Sequence, residues 1–104
     1  MQLNYSTRAM IEIDEIAGYI QQNNPRAALR FLEAVEATAE NLLLFPEFGA
    51  RFETEIPKLV DLRVCLVRGF EKYLVFYRLS AEIISIERVV LGSRDLPTIL
   101  REDT

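Results

Sequence analysis

Hydrophobic and polar positions change their rhythm near the middle of the chain. Between residues 6 and 44 apolar side chains recur every three or four positions, whereas between residues 62 and 91 they gather in short runs separated by turns. The first rhythm belongs to helices with one buried face and the second to strands. Residues 72–79, KYLVFYRL, show almost no alternation and are read as the central strand of a sheet covered on both faces. Two further strands are expected at residues 62–67 and 83–91, joined to it by connections short enough for antiparallel neighbours. Residues 2–5 alternate and make a short first strand, ended by the helix-starting pair Ser6 and Thr7.

The first helix is expected to run to about Asn23, with Met10, Ile13, Ile16, Ala17 and Ile20 as its apolar stripe and Glu12, Glu15 and Arg8 off it. Asn24 then caps a second helix that has Pro25 at its first position. Its stripe is Ala28, Phe31, Leu32, Val35, Ala39, Leu42 and Leu43, and it stops at Phe45 and Pro46. So tight a connection folds the helices into an antiparallel hairpin, whose joint apolar face needs a sheet to cover. Residues 46–61 form the longest irregular segment, either a functional loop or a wrap that Phe45, Phe48 and Phe52 pin to the helices, and residues 98–102 add a short helix. The expectation is a single α+β domain over residues 1–104, with an N-terminal strand, a helix hairpin and an antiparallel sheet of about four strands.

Composition narrows the chemistry more than the fold. Half of the 104 residues are hydrophobic and the net charge is −4, a balance typical of soluble globular domains. No segment suits a leader or a membrane span, so a cytoplasmic location is expected. The charge is uneven: residues 1–60 hold five basic and nine acidic side chains, while residues 61–104 hold seven of each. Between residues 62 and 94 the bases Arg63, Arg68, Lys72, Arg78, Arg88 and Arg94 outnumber the acids, which makes the sheet half locally positive. On neighbouring strands, Arg78 and Arg88 are natural cross-strand partners for Glu82 or Glu87.

Histidine is absent and Cys65 is the lone cysteine, so imidazole-based metal sites and His-dependent nucleophilic catalysis have no residues to use. Cys65 lies within a strand run and reads as a small buried hydrophobe. The four glycines are too far apart for a phosphate loop. Glu12, Asp14 and Glu15 sit early in a helix, where the macrodipole favours acids without any chemistry. No cofactor and no metal is expected.

Several segments, taken in order, resemble the RelE/ParE superfamily of toxins from type II toxin-antitoxin systems. STRAMIEIDEIAGYI at residues 6–20 is similar to the opening helix of that family, and NNPRAALRFLEAVEA at 23–37 to the second. LLLFPEFGARF at 42–52 carries its Phe-Pro-x-x-Gly turn. RGFEKYLVFYRL at 68–79 and ERVVLGSRDL at 87–96 look like the central strand and the closing strand with its Gly-x-Arg-Asp turn.

The branches of that superfamily differ in what they imply. RelE-like members cut messenger RNA on the ribosome and need a base, an acid and cations around the scissile phosphate. Where that branch often has basic or aromatic residues, this chain has Leu74, Leu91 and the run Thr98, Ile99 and Leu100. The departures fit the ParE-like branch, which lacks that set and acts by binding DNA gyrase and stalling it on broken DNA. The resemblance thus implies a protein that inhibits by contact, with no catalytic residue. Its target-binding candidates are Arg63, Arg68, Lys72, Tyr73, Arg78, Arg88, Arg94, Leu96 and Leu100, joined by Tyr77, with most weight on Arg94 and the tail. It also implies a cognate antitoxin, ParD-like and encoded nearby, whose flexible segment folds into the groove between hairpin and sheet. A ribosome-dependent ribonuclease and a non-toxic antitoxin-binding module remain the alternatives. Sequence-specific DNA binding by the chain alone is not expected.

Overall fold

The computed structural model describes residues 1–93 and 95–101. Strand β1 (Gln2–Tyr5) leads into helix α1 (Thr7–Gln21), whose cap Ser6 accepts the Ala9 N–H through its hydroxyl at 3.0 Å. Helix α2 (Pro25–Leu44) follows after a three-residue turn, capped by Asn24 Oδ1 on the Ala27 N–H. Then come strand β2 (Ala50–Arg51), a 3-10 turn at Pro57–Leu59, and strands β3 (Arg63–Val67), β4 (Phe70–Leu79) and β5 (Ile83–Leu91). Helix α3 (Leu96–Arg101) closes the described chain. The strands lie in the order β1-β5-β4-β3-β2, so β4 is the middle strand, as its unalternating sequence requires.

Two details differ from the expected sheet. It has five strands, because two residues of the loop pair with Arg63 and Val64, and it is mixed, because β1 lies parallel to β5. A two-residue strand leaves no pattern to read, and strand direction at a chain end is set by where α1 must begin.

Each face of the sheet has its own cover. On one, α1 and α2 pack Ala17, Phe31, Val35 and Leu42 against Val67, Val75, Tyr77, Ile84 and Val89. On the other, Leu59 and Leu62, with Phe52 and Ile56, join Leu100 of α3 over Phe76 and Val90. Alternation along β4 sends Val75 and Tyr77 to the helices and Phe76 to the loop. Some expected anchors therefore face elsewhere. Phe45 and Phe48 are 59% and 63% exposed, and only Phe52 pins the loop, edge-on to Phe76 and away from the helices. The stripe of α1 is also rotated: Met10 is exposed, while Ala9 and Glu12 are buried.

The Phe-Pro-x-x-Gly turn is folded around one phenol. Buried Tyr77 donates to Pro46 O at 2.7 Å and accepts the Gly49 N–H at 2.9 Å. A Cβ on Gly49 would lie 2.6 Å from the Tyr77 ring and 3.0 Å from Val64 O, so only glycine fits. Gly49→Ala is expected to cost about 1–3 kcal/mol, since a buried ring held at both ends cannot step aside. Urea denaturation beside Tyr77→Phe measures it; a loss below that of Tyr77→Phe would mean the turn relaxes.

Candidate target-binding surface

Strand β1 pairs with β5 only as far as Tyr5 opposite Ile86, and beyond it Ser6 and the Glu12 side chain meet the backbone of β5. The Ser6 N–H reaches Ile86 O at 2.9 Å, and the Ser6 hydroxyl donates to Glu87 O at 2.8 Å. Glu12 Oε1 accepts the Val89 N–H at 2.9 Å. A bulge at Glu87 sets Arg88 opposite Phe76. Its guanidinium reaches Glu12 with Nε at 3.0 and 3.1 Å and Nη2 at 2.7 Å, while Nη1 donates to Ile99 O of α3 at 2.8 Å. Both side chains are buried, and Arg8 Nε stands 3.5 Å from the same carboxylate. Glu12 is therefore an interior group that ties α1 to the sheet edge, not the surface acid expected from its place in the helix. Arg88 takes Glu12 as its partner instead of Glu82 or Glu87.

Other candidate residues are also committed to the framework. Arg63 donates to Gly49 O at 2.8 Å and Glu47 O at 3.3 Å, with the Glu47 carboxylate 3.5 Å away, so it braces the turn around Tyr77. Arg78 pairs with Asp61 and donates to Lys58 O, holding the loop under the second face instead of bridging to Glu82 or Glu87. Leu100 is fully buried and Leu96 half-buried against the same cluster, so α3 is a packed cover. Arg94 lies outside the described residues.

Arg68 and Lys72 are exposed, and Tyr73 is half-buried. They line two grooves where the hairpin meets the sheet. One, of about 590 Å³, runs between α1 and the end of β5 and is bordered by Glu15, Ile16, Tyr19, Lys72, Tyr73 and Leu91. Burial, and Tyr19 beside it, raise the Tyr73 phenol above its ordinary value. The other, of about 780 Å³, lies between α2 and the part of β3 that β2 leaves open, with Thr38, Asn41, Phe48, Leu66 and Arg68 on its walls. The thiol of Cys65 borders this groove, and burial pushes it up to about 11, which keeps it protonated and unreactive near neutral pH. Two exposed aromatics here were not among the expected site residues. Tyr19 could have been found as a large aromatic off the helix stripe, and Phe48 as one of three phenylalanines competing for one anchoring position.

Among the described residues no three His, Cys, Asp or Glu side chains gather closely enough to hold a metal ion. Nor is any described helix long and apolar enough to cross a membrane.

Residues 3–96 match the family described as the ParE toxin of the type II toxin-antitoxin system parDE. The chain belongs to the ParE toxin family. Such toxins are one half of a toxin-antitoxin pair, which implies an antitoxin partner for this ParE-family chain. Its fold is similar to a solved chain from the chromosomal ParDE system of P. aeruginosa, with a TM-score of 0.71 at 20% identity, over 88% of this chain and 95% of that one. No curated protein matches the sequence.

Proposed function

We propose that this ParE-family chain inhibits growth by binding DNA gyrase and holding it on cleaved DNA, and that a cognate ParD-like antitoxin neutralises it in the cytoplasm. The observation that carries the reading is the commitment of the sheet arginines. Cleavage of RNA by this fold would need cations free to meet a phosphate. Arg63, Arg78 and Arg88 instead spend their donors on Glu47, Asp61, Glu12 and backbone carbonyls. With no histidine in the sequence there is no imidazole acid-base chemistry, and these guanidiniums are already engaged, which supports inhibition by contact over cleavage. Lys72 and Tyr73 supply the exposed anchors, and the groove between α2 and β3 suits the antitoxin, because its open strand edge and exposed Phe48 and Leu66 match a partner that brings both backbone and apolar groups.

The test is supercoiling by gyrase on plasmid with ATP, followed by detergent and protease. Linear plasmid should accumulate with the protein and disappear when the antitoxin is added. Unaltered supercoiling at protein levels that stop growth, together with cut messenger RNA on translating ribosomes, would overturn it.

A further inference from the structure

We infer that the end of the molecule formed by the start of α2 and the β3–β4 turn binds the phosphate backbone of duplex DNA without regard to sequence. The inference rests on the proposed function for its setting, since gyrase holds DNA, but its evidence is a separate set of residues.

Arg8, Arg63, Arg78 and Arg88 each lie beside a carboxylate, while the exposed Arg51 and Arg101 have none beside them among the described residues. Among the described residues, no carboxylate pairs with Arg26, Arg30 or Arg68, and all three are exposed. Arg30 and Arg68 stand on two walls of one open pocket of about 530 Å³, with Gly69, Phe70, Ala34 and Glu33 completing it. The acid nearest in sequence to the turn, Glu71, accepts the Gly69 N–H at 2.6 Å. Glu33 alone among the acids faces the pocket.

The placement works against the stability of the isolated chain. Pro25 is the first residue of α2 and the first turn holds no acid, so Arg26 loads positive charge onto the positive end of the helix dipole. Four residues apart, Arg26 and Arg30 also repel each other along one helix face. Arg68 adds a third charge from the opposite wall. Departures from local rules of this kind are expected where a ligand supplies the missing charge. That ligand is polyanionic, and guanidinium forks suit phosphate oxygens. Arg26 and Arg30 are separated by ~6 Å along the helix axis, comparable with the separation of neighbouring phosphates on one strand. Such contacts read the backbone and no base.

Binding of a short labelled linear duplex of random sequence, followed by fluorescence anisotropy across salt concentrations, tests the inference. The wild-type chain should bind with an affinity that falls steeply with salt and ignores sequence. Arg30→Ala with Arg68→Ala should weaken it about tenfold at ~50 mM salt and lower the salt slope by roughly 1.8, two phosphate contacts' worth. Arg30→Lys with Arg68→Lys should keep most of the binding, and Glu33→Gln should tighten it. As a check on folding, Arg30→Ala should leave the melting temperature unchanged or raise it. Absence of binding by the wild type, or an unchanged slope in the double alanine variant, overturns the inference. So does displacement of DNA by polyglutamate at equal charge concentration, which would assign the surface to an acidic protein. The double variant is then carried into the gyrase assay. If it linearises plasmid as potently as wild type, gyrase poisoning stands and the DNA contact falls. If the wild type binds duplex but leaves gyrase untouched, the gyrase reading falls and the phosphate surface stands.

Discussion

Arg88→Ala is expected to lower the free energy of unfolding by about 3–5 kcal/mol, a large share of what a small domain has to lose. The change strips Glu12 of three short hydrogen bonds while leaving its carboxylate inside, and it leaves Ile99 O without its donor. A buried carboxylate left with only the half-exposed Arg8 at 3.5 Å is the costly product, more than the lost attraction. Equilibrium urea unfolding measures it, and two companion variants separate the causes. Glu12→Gln keeps an oxygen for the Val89 N–H but leaves the buried Arg88 guanidinium as the unpaired charge, so it should cost a comparable amount. Glu12→Leu combined with Arg88→Met removes both charges and should recover part of the loss. A single Arg88→Ala variant within about 1 kcal/mol of wild type would mean that water reaches the pair.

Phe31→Ala should lose a similar amount, about 3–5 kcal/mol, by a different route. Phe31 is fully buried and meets Phe70 and Tyr73 edge-on, each with ring centroids 5.4 Å apart. Its removal leaves a hole where α2 crosses β4, lined by two rings that cannot both move in to fill it. Phe31→Leu, which fills most of that space, should retain more stability. The same urea experiment decides, with near-ultraviolet circular dichroism reporting whether Tyr73 keeps its fixed setting. Equal stability of the alanine and leucine variants would show that the site collapses freely.

What the sequence made legible was what repeats. β4, β5 and both helix caps follow from runs, spacings and cap residues that are local in the chain. Glu12 was not legible, because an acid in the first turns of a helix is ordinarily solvated, and its burial depends on Arg88, 76 positions away. Met10 and Ala9 exchange places for the same reason: the bulk of a methionine outweighs an alanine in any periodic count, yet the sheet edge leaves room only for the smaller side chain. Glycine 49 stood in a recognisable turn, but the cause, a phenol 28 residues further on, is visible only in three dimensions. Of the expected target-binding residues, Arg68, Lys72 and Tyr73 lie on the surface between helices and sheet, whereas Arg88 and Leu100 are interior. A sequence gives no sign of which arginine has found a carboxylate, and that decides which of them are left for a partner.

The parallel pairing of β1 with β5 sets an order of events for the chain as it is made. Gln2 pairs with Ile83 and Tyr5 with Ile86, so β1 must wait for a segment about 80 residues later before it has a neighbour. The helix hairpin emerges early and holds its apolar face without a sheet to cover it. A nascent chain short of residue 83 therefore lacks the neighbour that β1 requires.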